Sequence, residues 1–330
     1  MKRMRVLGTG SYLPERIVSN SEVAEPLGIT PATIERLTGI RERRWAAESQ
    51  APSDLAIEAS RHALQTAGCA AGDVDAIILS TTSPDMAFPS TACLVQRGLG
   101  CRGVAAFDVS ASCSGFLYAM SMANAMILSG QAKICLVVAA EVKSRFLDPT
   151  DAATAVLFGD GAGAVVVRGD DDQGSKGHGL LGIRLYSDGS KHDLIRLPAG
   201  GSRVPASAET VARHDHVLRM QGASLFRIAV RRVERAVQDI LKEFGVRIDD
   251  LGQVVLHQAN GRILSNVAER LGIPAHRLAS VIDRYGNTSS ASLPIALDAA
   301  VRAGQIRTDD VVLLGSFGGG LTWATGLVRW

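Results

Sequence analysis

SDLAIEASRHALQTAG (residues 53–68) and GDVDAIILSTTS (residues 72–83) form the stretch of sequence that decides the fold. In the first segment apolar residues recur every three to four positions and Gly68 follows them, which predicts a helix that ends at a glycine. The second segment passes through an acidic turn into an apolar run, which predicts a buried strand. Helix, acidic turn and buried strand in this order are typical of an α/β protein.

The same order of elements occurs a second time, far along the chain. FRIAVRRVERAVQDILKEFG (226–245) predicts another helix that ends in glycine, and DDLGQVVLHQAN (249–260) predicts another acidic turn and strand. Two further pairs of segments follow in matching order: VAAFDVSASCSGF (104–116) with LASVIDRYGNTSS (278–290), and AKICLVVAAE (132–141) with DDVVLLGSFG (309–318). Order and spacing both repeat, which favours a duplicated unit over a chance likeness between two α/β segments.

Each half of the chain therefore reads strand, helix, strand, helix, strand. Apolar strands that alternate with helices predict parallel sheets that are covered on both faces. We expect a duplicated five-layer α/β/α/β/α architecture, with residues 1–170 as one half and residues 171–330 as the other. SGFLYAMSMANAMILSG (114–130) is apolar on nearly every side. Since such a helix is buried all round, we expect it between the two sheets.

Bulk composition excludes several classes of protein. The 330 residues carry a net charge of +2 and only 5% are aromatic, so neither a nucleic-acid partner nor an acidic membrane is indicated. The five cysteines lack CxxC spacing, which argues against a disulfide framework or a zinc site and favours a reducing compartment. No apolar run reaches the length of a membrane span, and the apolar stretch at the start is too short for a signal peptide. We therefore expect a cytoplasmic protein without a metal site.

Cys113 is the candidate nucleophile. It lies in SASCSGF, after the predicted strand AAFDV and at the first turn of the predicted buried helix. The start of a helix offers unpaired N–H groups and a positive dipole end, which lower the pKa of a thiol and can stabilise an oxyanion. A buried, inert cysteine is the alternative interpretation, and it is the one we give to the other four cysteines.

His257 and Asn287 are the candidate partners of Cys113. Of seven histidines, only His257 ends a fully apolar strand, at the strand end where ligands bind in open α/β sheets. Asn287 lies in RYGNTSSAS, a segment that reads as a turn. An asparagine there either orients the imidazole, as in papain-like proteases, or donates a hydrogen bond to a substrate oxygen. The repeat places all three residues at one face.

A glycine cluster, GSFGGGLTW (315–323), lies between two predicted strands. A phosphate-binding loop leads into a helix, and this segment does not. The cluster is either a turn where backbone approaches a substrate closely or a plain turn. FGDGAGAVVV (158–167) is a similar turn into a strand, in which Asp160 is predicted to be a structural hydrogen-bonding residue.

The sequence resembles β-ketoacyl-[acyl-carrier-protein] synthase III over nearly the entire chain. The blocks that carry the resemblance are GTGSYLPE (8–15), TGIRERR (38–44), AFPS (87–90), FDVSASCSGF (107–116), DPTD (148–151), FGDGAGA (158–164), HQAN (257–260), GNTSSAS (286–292) and FGGGLTW (317–323). The resemblance implies a thiolase-fold enzyme that condenses an acyl thioester with malonyl-acyl carrier protein, without metal or organic cofactor.

The resemblance also implies roles for single residues. Cys113 matches the nucleophile that carries the acyl group, and His257 and Asn287 match the pair that polarises the malonyl thioester carbonyl during decarboxylation. The remaining matches are the N–H groups of Cys113 and Gly319 as the oxyanion hole, Phe158 as a wall of the acyl pocket, Phe88 as the residue that reaches into the acyl pocket of the neighbouring subunit of a homodimer, and Arg227 and Arg262 as contacts of the acyl carrier protein.

The sequence departs from the family pattern where the adenine of coenzyme A is commonly held. Thr33 and Leu37 stand in place of a tryptophan and an arginine, and Ala152 stands in place of a further arginine. An aromatic–guanidinium stack contributes about 1–2 kcal/mol, so we hypothesise weak use of acetyl-CoA. The donor would then be a longer acyl-CoA, an acyl carrier protein thioester or a substrate of a secondary pathway.

Four other functions remain as alternatives at this point. Within the same fold, the chain could be an acyltransferase with another acceptor, or a quinolone or polyketide synthase that uses a non-acetyl donor. A Cys-His-Asn hydrolase and a non-catalytic partner subunit belong to different classes. The presence of Cys113, His257 and Asn287 together argues against the non-catalytic subunit.

Overall fold

A computed structural model describes residues 3–170 and 177–330. The strands are β1 Arg3–Tyr12, β2 Arg16–Ser19, β3 Glu42–Trp45, β4 Ala76–Ser80, β5 Ala105–Val109, β6 Ile134–Glu141, β7 Gly161–Asp170, β8 Gly179–Ser187, β9 Ile195–Arg196, β10 Arg219–Met220, β11 Leu251–Leu256, β12 Val311–Gly318 and β13 Thr322–Arg329. The helices are α1 Asn20–Ala24, α2 Pro31–Thr38, α3 Pro52–Ala67, α4 Thr91–Leu99, α5 Gly115–Leu128, α6 Ala152–Ala155, α7 Ala208–Ala212, α8 Gly222–Phe244, α9 Gly261–Leu271, α10 Ile282–Tyr285 and α11 Ser292–Arg302.

Two sheets with the same strand arrangement form the body of the protein. The first sheet has the order β1-β7-β6-β4-β5, and the second has the order β8-β13-β12-β11. In the first, β4 and β6 are parallel, while β7 is antiparallel to both β6 and β1. In the second, β11 and β12 are parallel, while β13 is antiparallel to both β12 and β8. The four strands of the second sheet therefore repeat β1, β7, β6 and β4 of the first in order and direction, and the predicted duplication is confirmed. The expectation of purely parallel sheets is wrong, because β7 and β13 run antiparallel to both of their neighbours.

The predicted strand within residues 278–290 is wrong. Leu278 forms only an isolated parallel bridge with Val254, at the place that β5 holds in the first sheet, and α10 begins four residues later. The side chain of Gln258 explains the difference, because it satisfies backbone groups that a strand would pair. Its Oε1 accepts a hydrogen bond from the Val281 N–H at 3.0 Å, and its amide donates to the Ala279 carbonyl at 3.3 Å.

The repeat holds closely in the two short 3-10 turns that precede α5 and α11. These turns span Ser112–Ser114 and Ser289–Ala291, and each begins with a serine in the left-handed region, at φ 51° and φ 53°. In the sequence, matching Asp108 with Asp283 sets Ser112 opposite Asn287, whereas the structure sets it opposite Ser289. The register of the repeat is thus displaced near the site, although the order of the elements is preserved.

The central layer consists of α5 and α11. Both helices contact both sheets, and their apolar residues share one buried cluster with strands from each sheet. The expectation that the segment 114–130 would be buried all round is only partly right, because Met122 is 43% and Leu128 is 53% exposed. The second half of α5 therefore presents an apolar edge at the surface of the single chain.

Helices on the two outer faces complete five layers. α3 and α4 pack on the first sheet, and α8 packs on the second with α9 beside it. A buried carboxylate joins the central layer to the first sheet: Asp298 on α11 accepts hydrogen bonds from Thr9 at 2.7 Å and Ser11 at 2.6 Å. With two sheets, one central helical layer and two outer helical layers, the predicted duplicated α/β/α/β/α architecture is confirmed.

The division into residues 1–170 and 171–330 stays a prediction. It falls at residues 171–176, which lie outside the described residues. The strands of the first sheet all lie between Arg3 and Asp170, and those of the second between Gly179 and Arg329. Over the two described ranges, no helix combines the length and the apolar character that crossing a membrane requires.

Gly10 on β1 determines how closely α3 approaches the first sheet. A Cβ atom at this position would lie 2.3 Å from the Ala63 nitrogen and 2.4 Å from the Ala59 carbonyl oxygen. Both atoms belong to the helix backbone and cannot move aside as a flexible side chain could. The glycine is thus a packing requirement of the outer layer.

We expect Gly10→Ala to lower the free energy of unfolding by about 3 kcal/mol, because α3 must move away from β1. Urea denaturation of the two proteins measures the difference. Gly72→Ala is the matched control, since a Cβ at that exposed position meets no atom within 4 Å. Equal stability of Gly10→Ala and the parent protein would contradict this account of the packing.

Candidate active site

Cys113 lies where two cavities meet. It sits in the 3-10 turn between β5 and α5, and only 8% of the residue is exposed. The larger cavity, here called the tunnel, has a volume of about 620 Å³. The smaller one, here called the inner pocket, has a volume of about 330 Å³. Both cavities are lined by Cys113, Phe158, Ile195 and Gly319.

His257 lies directly after β11 and lines the tunnel. Its Nδ1 is 2.5 Å from the Ser292 hydroxyl, which also accepts a hydrogen bond from the Gln258 N–H at 3.0 Å. Within the described residues, His257 Nδ1 is the only acceptor within reach of the Ser292 hydroxyl hydrogen, which is therefore directed to it. The network therefore assigns the proton of the neutral imidazole to Nε2, which becomes a hydrogen-bond donor.

Asn287 also lines the tunnel, and its backbone is held by the other half of the chain. Its N–H donates to the Leu157 carbonyl at 2.8 Å, and its carbonyl accepts from the Gly159 N–H at 3.1 Å. The side-chain Oδ1 accepts from the Ser289 N–H at 2.8 Å. Since the oxygen is occupied in this way, the amide Nδ2 is the part of the side chain that can donate to a ligand.

The backbone around Cys113 is packed against the glycine cluster at the end of β12. A Cβ at Gly318 would lie 2.6 Å from the Cys113 nitrogen, so only glycine permits this approach. Within the described residues, the Cys113 N–H has no hydrogen-bond acceptor. The Gly319 N–H, by contrast, donates to the Ser112 hydroxyl at 3.1 Å. Of the two N–H groups predicted to bind an oxyanion, the second is therefore occupied by a side chain that the sequence had not singled out.

Burial dominates the electrostatics of both candidate catalytic groups. It raises the pKa of the Cys113 thiol, and the hydrogen bond with Ser289 offsets this effect only partly. Burial thus outweighs the lowering of the pKa that the helix end was expected to give this cysteine. Burial also lowers the pKa of His257 to about 3. At neutral pH both Cys113 and His257 are uncharged.

A buried ion pair lies beside the site, at the end of β6. Lys143 Nζ is 3.2 Å from Glu141 Oε2, and both side chains are almost inaccessible. Burial alone would raise the pKa of Glu141, but Lys143 and hydrogen bonds from Ser83, Ser290 and the Thr82 amide together lower it. Sequence reasoning missed this pair, although two charged residues at the end of a fully apolar strand are a signal that could have indicated it.

The other residues predicted from the resemblance lie in three places. Phe158 is buried and lines both cavities. Phe88 is 87% exposed and lines neither cavity of this chain. The side chains of Arg227 and Arg262 are exposed and line the tunnel. Leu37 also lines the tunnel, and Ala152 is exposed on α6.

Thr33 is hydrogen-bonded within its own helix start. Its N–H donates to the hydroxyl of Thr30, the N-cap of α2, at 3.2 Å. The two hydroxyl oxygens lie 3.0 Å apart. The side chain that stands in place of the family's tryptophan thus belongs to the start of a helix.

The neutral His257 leads to a prediction on acid stability. The ordinary histidine pKa of 6.5 lies above the value of about 3 in the folded protein. Between these values the unfolded state binds the proton more strongly, so stability falls as the pH falls. We expect His257 to account for about 2 kcal/mol of the stability lost between pH 7 and pH 5.

Urea unfolding at the two pH values tests this, with His257→Gln as the variant that cannot titrate. The variant should lose less stability on acidification than the parent protein. His276→Gln removes an exposed histidine and should behave like the parent. Identical losses in the parent and His257→Gln would show that the imidazole is charged in the folded protein.

Comparison with known proteins identifies the family to which this chain is similar. A sequence profile for 3-oxoacyl-[acyl-carrier-protein] synthase III matches residues 107–189, and a profile for the C-terminal part of the same family matches residues 241–330. β-Ketoacyl-[acyl-carrier-protein] synthase III from Rhodospirillum rubrum is 48% identical to this chain, over 100% of both chains.

Two solved structures are also similar to this chain. The crystal structure of 3-oxoacyl-[acyl-carrier-protein] synthase III from Aquifex aeolicus VF5 superposes with a TM-score of 0.90 at 40% identity, covering 99% of this chain and 100% of that one. The priming β-ketosynthase of the R1128 polyketide biosynthetic pathway also has a TM-score of 0.90, at 35% identity, with 99% of this chain and 96% of that one covered.

The duplicated sheets, the cysteine at the start of the central helix and the likeness along the whole sequence lead to one conclusion: the chain belongs to the β-ketoacyl-[acyl-carrier-protein] synthase III family of thiolase-fold condensing enzymes.

Proposed function

We propose that this protein carries an acyl group on Cys113 and joins it to malonyl-acyl carrier protein by decarboxylative Claisen condensation. The observation that carries the proposal is the junction at Cys113. The thiol lies on the tunnel together with His257 and Asn287, while the inner pocket offers space on the other side for an acyl group. The product is a 3-oxoacyl thioester, as fatty acid initiation or a related pathway requires.

The first half-reaction loads the enzyme. The Cys113 sulfur forms a bond to the carbonyl carbon of the donor thioester, and the carbon–sulfur bond of the donor breaks. Because burial keeps Cys113 protonated, its proton must leave as the bond forms, and it ends on the released thiol. The Cys113 N–H is available for the oxyanion, and the Gly319 N–H becomes available when the Ser112 hydroxyl turns away.

The second half-reaction builds the carbon–carbon bond. The malonyl thioester enters the tunnel, and its carbonyl oxygen accepts hydrogen bonds from His257 Nε2–H and the Asn287 amide. Both donors are neutral and fixed by their other partners, Ser292 and Ser289, so they stabilise the enolate left when carbon dioxide departs. The carbanion attacks the acyl carbon, the bond between that carbon and the Cys113 sulfur breaks, and the thiolate takes a proton from solvent to restore the neutral thiol.

The fixed partners of His257 and Asn287 disfavour the Cys-His-Asn hydrolase. In that arrangement the asparagine side chain orients the imidazole. Here Ser292 holds Nδ1 of His257, and the Ser289 N–H holds the side-chain oxygen of Asn287. The geometry favours two separate donors that act on one carbonyl oxygen.

An acyl carrier protein is the proposed partner at the tunnel mouth. Arg227 lines both the tunnel and a neighbouring groove that includes Lys191, Arg231 and Arg232. Within the described residues, Arg227, Arg231 and Arg262 form no ion pair, whereas Arg232 is held by Asp188 at 3.2 Å. Free arginines beside an entrance attract an acidic protein that must deliver a thioester into it.

The donor is proposed to differ from acetyl-CoA. Leu37 at the tunnel, Thr33 in the start of α2 and exposed Ala152 offer no guanidinium or indole for an adenine ring. An acyl carrier protein thioester has no adenine to bind, and a longer acyl-CoA would replace the missing adenine contacts with contacts to its longer chain. A synthase of a secondary pathway remains the second candidate, and the likeness to the R1128 priming ketosynthase favours it.

A homodimer is the proposed assembly. Phe88 and Met86 are exposed large apolar side chains, β5 is the edge of the first sheet, and Met122 adds to the apolar surface. An unpaired edge strand beside exposed apolar side chains favours pairing with a second copy. Phe88 would then reach the acyl pocket of the partner. We also propose a cytoplasmic location, which the free state of all five cysteines supports.

Intact-mass measurement tests the proposed reaction. We expect a mass gain with acyl-CoA or acyl carrier protein donors that is abolished in Cys113→Ala, followed by 3-oxoacyl product when malonyl carrier protein is added. Chelator should have no effect, because no metal or organic cofactor is proposed. His257→Ala and Asn287→Ala should still load but should lose about 10²–10³-fold in condensation.

The panel of donors also separates the alternatives. Loading without product would favour an acyltransferase with another acceptor, and free acid without malonate would indicate a hydrolase. Loading from carrier protein thioesters alone would support the donor proposal. A KM for acetyl-CoA as low as that of a housekeeping synthase would overturn the donor proposal without affecting the reaction.

Sedimentation velocity tests the dimer. The parent protein should sediment as a dimer, and Phe88→Asp should shift it towards monomer because a charge replaces an apolar contact. Val211→Asp, at another exposed apolar position, is the matched control and should leave the dimer intact. A parent protein that stays monomeric at micromolar concentration would contradict the proposal.

A further inference from the structure

The inner pocket and the tunnel share only part of their lining, and the residues proposed to bind malonate line the tunnel alone. His257 and Asn287 line the tunnel and not the inner pocket. Thr82, Lys143, Phe146, Leu197 and Leu218 line the inner pocket and not the tunnel. If the tunnel receives the thioester arms, as the proposed function requires, the inner pocket receives the acyl group that stays on Cys113. Its lining therefore selects the donor.

One wall of the inner pocket carries a buried ammonium group. The side chain of Lys143 is only 6% exposed. Its Nζ lies 2.5 Å from the Thr82 hydroxyl, 3.2 Å from Glu141 Oε2 and 6.0 Å from the centre of the Phe146 ring. An ammonium has three N–H donors. Within the described residues two of them have oxygen partners, so one donor remains for a ligand.

Glu141 does not depend on Lys143 alone. Its carboxylate accepts hydrogen bonds from the Ser83 hydroxyl at 2.6 Å, the Ser290 hydroxyl at 2.8 Å and the Thr82 N–H at 3.2 Å. The carboxylate belongs to the interior behind the pocket and is not among the lining residues. Of the buried ion pair, only Lys143 lines the pocket, together with Thr82. The other basic residues of the lining, His192 and Arg196, are exposed and lie at the solvent side.

An alkyl chain fits such a wall poorly. It would displace water from a charged donor without offering an acceptor, and a buried donor without a partner is costly. An oxygen atom on the chain would accept the remaining N–H of Lys143. The apolar side chains of Phe146, Leu197 and Leu218 would still contact the carbon atoms beside it.

We propose that Lys143 is a specificity-determining residue and that the acyl group carried on Cys113 bears a hydrogen-bond-accepting oxygen. Hydroxyl, oxo and carboxylate groups share this chemistry. The inference rests on the proposed function and deepens it by naming the class of donor. A saturated, unsubstituted acyl group would be the poorer substrate.

Four-carbon donors test the inference at constant chain length. Butyryl, 3-hydroxybutyryl, 3-oxobutyryl and succinyl groups are offered as coenzyme A and as carrier protein thioesters, and acylation of Cys113 is followed by intact mass. We expect at least one oxygen-bearing group to load about tenfold faster than butyryl, the effect of one hydrogen bond to a charged group. The fastest donor shows whether the oxygen is neutral or part of a carboxylate.

Lys143→Met keeps the length of the side chain and removes the cation. It should reverse the preference, so that butyryl loads faster than in the parent protein and the oxygen-bearing donors load about tenfold slower. A gain with butyryl cannot come from a misfolded protein. Lys133→Met is the matched control, because this exposed lysine precedes β6 at the end opposite Lys143 and should leave all rates unchanged.

Each remaining outcome has one meaning. If butyryl loads fastest in the parent protein and is then condensed with malonate, the proposed function stands and the inference is overturned. An unchanged preference in Lys143→Met overturns it as well. If none of the four-carbon groups acylates Cys113 but a longer unsubstituted acyl group does, the proposed function stands and the inference is overturned. If no acyl group of any length on either carrier acylates Cys113, both fail.

Discussion

The position of Cys113 depends on one constraint, the meeting of two serine-rich 3-10 turns between the sheets. The turn at Ser112–Ser114 leads into α5, and the turn at Ser289–Ala291 leads into α11. They touch through the Cys113 sulfur and the Ser289 hydroxyl, 3.5 Å apart. Because each turn starts a helix of the central layer, the packing of that layer between two sheets also fixes the distance between the turns. Cys113 is placed by the fold as a whole.

Much of this arrangement could be predicted from the sequence. The helix and strand over residues 53–83 and their second copy carry clear periodicities, and the ends of apolar strands point to His257 and to the region of Cys113. The failure at residues 278–290 has a local cause. The side chain of Gln258 pairs with backbone groups that a strand would use, and apolar periodicity does not report such a bond.

The supporting contacts of the site could not be predicted, since they join residues far apart in the chain. Ser292 holds His257 from 35 positions away, and Ser290 reaches Glu141 over 149 positions. Ser112 and Gly319 are 207 positions apart, and no sequence motif predicts that the Ser112 hydroxyl accepts a hydrogen bond from the Gly319 N–H. The burial of the site could not be predicted from the sequence either. It decides that Cys113 and His257 are neutral, and it depends on the assembled layers rather than on neighbouring residues.

The two equivalent turns carry different residues at the position of Cys113. With Ser112 equivalent to Ser289, the residue equivalent to Cys113 is Ser290, whose hydroxyl donates to Glu141 at 2.8 Å. One copy of the turn thus holds the proposed nucleophile, Cys113, at the two cavities, and its twin presents a hydroxyl to a buried carboxylate. Under the proposed reaction the two halves are therefore not interchangeable, because the nucleophile lies in the first half and its two hydrogen-bond donors, His257 and Asn287, lie in the second.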